Sequence, residues 1–127
     1  MKAGGARTER VALASGPSYH GCPYGAVCVY PAGKGWNGDR PKYFFYSYAG
    51  HNIYNEFGTH RIADNQYGSH SAAVCAGYNG TGGLANVYGI RAEGGPYYYP
   101  VYWDVDLTPV NSLDLRPYSE YESLCFR

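Results

Sequence analysis

Four cysteines, at positions 22, 28, 75 and 125, carry the most reactive side chains of this chain. An even number in a small, Gly-rich sequence is the pattern of two disulfides formed in an oxidising compartment. Cys22 and Cys28 flank a tight Pro-Tyr-Gly turn, which favours the pairing Cys22–Cys28 with Cys75–Cys125. A Cys28–Cys75 bridge is the rival, because those two residues hold matching places in an internal repeat. Zinc held by these thiols is disfavoured, since no two Cys-x-x-Cys pairs complete a site.

The four histidines stand at 20, 51, 60 and 70. His51 and His60 share a bend region with Asp64, and such a trio has the groups for zinc ligation or proton transfer. None has metalloprotease spacing, and no Gly-x-Ser-x-Gly nucleophile turn exists. Structural or surface histidines are therefore the expected role. Gly33-Lys-Gly-Trp-Asn-Gly38 matches the form of a dinucleotide-binding loop. However, Asp39-Arg-Pro41 follows where a helix is required, so the context test fails. Asn79-Gly-Thr81 fits a glycosylation sequon but is expected to be an unmodified turn. No enzymatic constellation emerges.

The elements that must position these residues are short strands. Gly is abundant (18 residues), as is Tyr (16), and Met occurs once. Tyr, Val, Phe and Trp suit a half-buried pleated surface, while Gly and Pro break helices. The composition is that of an all-β domain rich in turns. Ten basic residues balance ten acidic ones. This charge offers no attraction to nucleic acid or an anionic membrane. The stretch from Val101 is acidic, with Asp104, Asp106, Asp114, Glu120 and Glu122, and reads as a solvated edge. No apolar run approaches a membrane span. Residues 1–18 are expected to be a disordered N-terminal segment or the remnant of an export signal: Ala12-Leu-Ala14 has the look of a cleavage site, but no apolar stretch precedes it. Residues 19–127 are expected to form a single domain.

Within that domain the pattern of residues 22–68 returns, more loosely, in residues 71–117. Ala26 to Tyr30 reads as a buried strand, Asn37-Gly38 as a tight turn and Lys42 to Tyr48 as an aromatic strand. Arg61-Ile-Ala63 reads as short and extended, and Asp64 to Ser71 as a polar connector. Ala73-Val-Cys75 echoes Val27-Cys-Val29. Tyr30 stands five residues before Gly35, as Tyr78 does before Gly83, and Tyr97 to Trp103 echoes Tyr43 to Tyr48. Thr59 precedes Arg61-Ile62 as Asn111-Ser112 precedes Leu113-Asp-Leu115. The aromatic-to-Gly spacing suits a folded-over hairpin whose Gly adopts a backbone conformation that a Cβ would hinder. Two units of four strands are expected to close as Greek keys and bury their apolar faces together as a sandwich.

These residues give the chain a resemblance to the βγ-crystallin-type Greek-key proteins. More narrowly, it resembles the secreted actinobacterial family typified by the Streptomyces metalloproteinase inhibitor. The motifs that carry the likeness are Cys-Pro-Tyr-Gly-Ala-Val-Cys-Val-Tyr at 22–30, Trp-Asn-Gly at 36–38, Phe-Tyr-Ser-Tyr at 45–48, His51 to Ile62, and Leu107 to Leu113. The resemblance implies a crystallin-like sandwich of two Greek keys, secretion, disulfides and binding to an extracellular peptidase. It also implies a possible calcium site, with Asn55, Glu56 and Thr59 as the candidate oxygen ligands. Here His60 replaces the closing Ser of the family's calcium motif, and the second unit's Leu107 to Ser112 lacks the acidic-type ligands. The chain departs from the family in a long Gly-rich excursion between Gly83 and Pro100. A long loop on a rigid β scaffold is a usual place for recognition, and Arg91 is its candidate contact.

The leading expectation is thus a secreted, non-enzymatic binding protein resembling peptidase inhibitors, presenting loops to an extracellular protease. One alternative is a structural, self-associating extracellular protein with tyrosine-rich faces. Another is a calcium-stabilised crystallin-like domain with a toxin or antifungal role.

Overall fold

A computed structural model of the chain describes residues 16–85 and 100–126. Seven strands are described: β1 (Val27–Val29), β2 (Tyr43–Phe45), β3 (Gly50–Asn52), β4 (Thr59–Asp64), β5 (His70–Cys75), β6 (Val101–Asp106) and β7 (Ser112–Pro117). A 3₁₀ segment, Tyr118–Ser123, follows. The strands form two antiparallel sheets, so the fold is all-β as expected. One sheet runs β2-β1-β4-β6 and the other β3-β7-β5.

The connections are exchanged between the sheets. β3 leaves the sheet of β1, β2 and β4 and pairs with β7, and β6 leaves the sheet of β5 and β7 and pairs with β4. β4 and β7 therefore hold equivalent places, each flanked by the first strand of its own half and by a strand from the other. This corrects one repeat assignment. Of the stretch Tyr97 to Trp103, Tyr97 to Tyr99 lie outside the described residues, and the rest enters β6, which pairs with β4 as β3 pairs with β7 and so is the counterpart of β3, not of β2. Aromatic content follows which face a strand buries and does not report its place in the chain order.

Alternation explains how each face is used. In β1, Val27 and Val29 point between the sheets with Phe45, Ile53, Ile62, Ala72, Val74, Leu107, Val110, Leu113 and Leu115. Cys28 points the other way and lies with Cys22, Ala26, Tyr30 and Ala63 under Tyr19, Trp36, Phe44 and Tyr46. The outer side of the second sheet is covered by Leu124, Cys125 and Tyr121 over Ala73 and Cys75. The disulfides are Cys22–Cys28 and Cys75–Cys125. Each ties a terminal segment to the outer face of its own sheet.

Turn chemistry follows the sequence closely. Asn37 and Gly38 have φ of 50° and 64°, as a two-residue turn of the mirror-image type requires. Gly35 and Gly83 both have positive φ, 54° and 83°, which gives the aromatic-to-Gly spacing its reason. The expected polar connector differs. Asp64, Asn65 and Gln66 are buried, because Asn65 bonds backbone to backbone with Gly25 and Ala26 and its side chain donates to the Cys22 carbonyl. The first residues of the connector form a buried strap held against residues 17–26. The acidic C-terminal stretch is likewise not simply a solvated edge: Asp114 is fully buried and accepts from Arg116 and from the Cys125 amide.

Candidate functional site

The outer face of the first sheet carries a cluster of aromatic rings around one cation. β4 and β6 run in register with Arg61 opposite Asp104. Residues opposite each other on one face are close enough to interact directly, and here Arg61 donates from Nε and Nη2 to both Asp104 oxygens at 2.8 and 2.9 Å. Tyr102 lies two residues before Asp104 and so on the same face. β6 shows this plainly, with Tyr102, Asp104 and Asp106 exposed and Val101, Trp103 and Val105 turned inward. The guanidinium carbon sits 4.6 Å from the centre of the Tyr102 ring and 4.8 Å from that of Trp36.

Trp36 is supplied by the β1–β2 loop. Its carbonyl accepts from the Asp39 and Arg40 amides. His20 stacks on the indole with ring centres 3.9 Å apart, and Tyr19, Tyr30 and Tyr102 meet it edge-on. The buried Tyr30 hydroxyl donates to the His20 carbonyl at 2.7 Å, fixing the N-terminal segment under the cluster. His20 Nδ1 lies 3.2 Å from Asp39. Electrostatics reinforce the geometry. The hydrogen bond from Arg61 holds the Asp104 carboxyl below its ordinary range. Burial, with the nearby Tyr102, raises the Tyr19 phenol, and Arg61 opposes this. A planar cation lying against two aromatic rings and forked onto a carboxylate loses little freedom when it binds something.

The residues singled out from sequence fall elsewhere. Asn55 and Thr59 are exposed on the β3–β4 bend, and Asn55 has a φ of 58°. Glu56 is buried. Its carboxylate accepts from the Tyr43 hydroxyl and faces the Lys42 ammonium, each at 2.6 Å, with His60 Nε2 at 3.8 Å. It therefore serves as the anchor of the bend, already neutralised by a lysine. The two bends do meet, through Gly58 donating to the Thr108 hydroxyl and Leu107 donating to the Gly58 carbonyl. Arg91 and its excursion lie outside the described residues. Asn79 closes a turn onto Asn52 through paired amide hydrogen bonds.

The histidines separate. His51 stacks on Phe45 and reaches the Ser47 carbonyl. His60 is buried, with its ring nitrogens on the carbonyls of Tyr30 and Phe57. Neither is partnered with Asp64, contrary to the trio considered from sequence. Asp64 instead meets His70, with Nε2 and Oδ1 3.3 Å apart and both side chains buried. Burial pulls the His70 pKa down, but Asp64 and the Gly68 and Tyr67 carbonyls outweigh it, and the net shift is upward. Among the described residues, no three of His, Cys, Asp and Glu gather as a metal group, and no helix is long and apolar enough to cross a membrane.

No family model, curated protein or solved structure matches this chain.

Proposed function

We propose that this chain is a secreted, non-enzymatic binding protein of the two-Greek-key, crystallin-like type, and that its partner is an extracellular peptidase. The observation that carries the reading is the Arg61 side chain, ordered by Trp36, Tyr102 and Asp104 on an exposed β surface. Trp, Tyr and Arg are the residues that most often dominate protein–protein binding energy. A rigid β face orders them before contact, so little entropy is lost on docking. The exchange of β3 and β6 between the sheets supports the crystallin-like arrangement. The two disulfides support an extracellular setting. On this reading the binding face is β4, β6 and the β1–β2 loop.

The test is a panel of secreted metallo- and serine peptidases assayed with micromolar protein, in parallel with Arg61→Ala and Tyr102→Ala. At least one peptidase is slowed by the wild type, and both variants weaken that inhibition tenfold or more while melting normally. If no peptidase is slowed, or the variants inhibit as well as the wild type, the reading fails.

A further inference from the structure

Among the described residues, three pairs of tyrosines stack ring on ring: Tyr24–Tyr67, Tyr54–Tyr78 and Tyr118–Tyr121. They differ in what covers them. The Tyr24 ring lies against Gly16 and the Tyr67 ring against Gly25. Tyr121 packs on Ala73, Cys75, Leu124 and Cys125. Tyr54 and Tyr78 are 59% and 46% exposed, with ring centres 5.7 Å apart and planes inclined by 28°. Topology brings these two together. β3 and β5 both run antiparallel to β7, and their last residues, Asn52 and Cys75, both stand opposite Ser112. The two strands therefore leave the second sheet at the same end. There the Asn52 side-chain amide donates to Asn79 Oδ1 at 3.0 Å, and the Asn79 backbone N–H donates to Asn52 Oδ1 at 2.6 Å. Ser112 holds the turn beside Tyr78, accepting from the Gly80 amide and donating to the Gly77 carbonyl. The buried Ile53, next to Tyr54, donates its amide to the Asn111 carbonyl. The backbone is thus fixed under both rings, while the rings themselves stay in solvent.

We propose that Tyr54 and Tyr78 form an oxidative cross-linking site, joined as dityrosine by hydrogen peroxide and a haem peroxidase. The peroxidase takes one electron and one proton from each phenol and reduces one peroxide to two waters. The two phenoxyl radicals pair their electrons in a new bond between ring carbons ortho to the oxygens. Each of those carbons then gives up its hydrogen as a proton, and each oxygen regains one. The protein loses two hydrogen atoms overall. Exposed side chains change rotamer within nanoseconds, so the rings can swing from the stack into the edge-to-edge geometry the bond requires. Groups held side by side react at effective concentrations far above that of a dilute protein, which favours this pair over coupling between molecules. The bond would tie the exchanged strand β3 to the half of the chain that supplies β5. It stands apart from the Arg61 cluster, which belongs to the outer face of the first sheet.

Micromolar protein is treated with a plant haem peroxidase and one equivalent of hydrogen peroxide. Dityrosine fluorescence appears in the monomer, whose intact mass falls by two hydrogen atoms. Peptide mapping joins the fragments holding Tyr54 and Tyr78. The cross-link shortens the reach of the unfolded chain, so the urea midpoint rises by about 1 M. Tyr54→Phe and Tyr78→Phe each lower the monomer's fluorescence at least tenfold, while Tyr24→Phe and Tyr118→Phe leave it unchanged. Each substitution removes one hydroxyl, and the melting temperature checks the fold; the peptide map of the wild type decides by itself should a variant melt low. Three outcomes overturn the assignment. The first is a product made only of dimers and larger species. The second is a cross-link that maps to Tyr24–Tyr67 or Tyr118–Tyr121. The third is monomer fluorescence that survives Tyr54→Phe.

Discussion

The two disulfides close loops of very different length, and that difference sets an order of stability. Cys22 and Cys28 are 6 residues apart, while Cys75 and Cys125 are 50 apart. In the chain-entropy picture, closing these loops in the unfolded state is worth about 2 kcal/mol for the short bridge and about 4 kcal/mol for the long one. All four cysteines are fully buried, so alanine is the appropriate replacement and both double variants remove similar volume. The native contacts around Cys125 stay in place without its bridge. Its amide donates to Asp114, its carbonyl accepts from Gly83, and Arg116 still reaches Glu120 from β7. The loss on removing the long bridge should therefore arise mainly in the unfolded chain. Urea unfolding followed by tryptophan fluorescence measures it, since Trp36 lies over the first sheet and Trp103 faces the core. With a slope of about 2 kcal/mol per molar urea, the Cys75→Ala/Cys125→Ala midpoint falls by roughly 2 M, and the Cys22→Ala/Cys28→Ala midpoint by about half that. If the short-bridge variant loses as much stability as the long-bridge variant, the loop-entropy reasoning is wrong. Local packing of the Cys22 segment against Asn65 would then be the dominant effect.

Two further tests address the core and the exchanged strand. Burial, assisted by Asp39 and Tyr19, raises the Tyr30 phenol, and burial with the Glu56 hydrogen bond raises Tyr43. A raised folded-state pKa contributes stability that is fully present below the unfolded value of about 10 and is lost as pH climbs above it. Urea midpoints measured from pH 8 to 11.5 should hold steady and then fall from about pH 10, by up to about 1.4 kcal/mol per pH unit for each group, and Tyr43→Phe should flatten the fall; a level profile would contradict this. Gly50 opens β3 where an added Cβ would collide with the backbone of Asn79 and Gly80. Gly50→Ala should cost about 1–3 kcal/mol and speed amide exchange at β3 ahead of the other strands, and an unchanged melt would show that this close approach is easily relieved.

Much of this could be read from residue types because it depends on local chemistry. Ala26 to Tyr30 is buried and holds β1, as its β-branched run between Gly25 and Pro31 indicates. Asn37-Gly38 and Gly35 mark turns, since few other residues tolerate positive φ. The buried strap was misread because Asp64, Asn65 and Gln66 are polar by type, and only their partners across the fold reveal why burial is tolerated. The aromatic–arginine cluster was missed for a related reason. Arg61 and Asp104 are ordinary strand residues until β6 is known to cross into the first sheet. A weak signal was present in the alternation of Tyr102, Asp104 and Asp106, which marks a solvent-facing row on one strand but does not name the strand beside it.

The sequence by itself determined the all-β character, the turn positions and the presence of two bridges, because these rest on composition, an even cysteine count and local backbone preference. Only the tertiary structure decided which strands exchange sheets, that Glu56 anchors a bend to Lys42 and Tyr43, that Asp64 meets His70, and that Arg61 lies against Trp36 and Tyr102. Those outcomes depend on register between strands far apart in sequence, where one residue of slip turns every side chain to the opposite face.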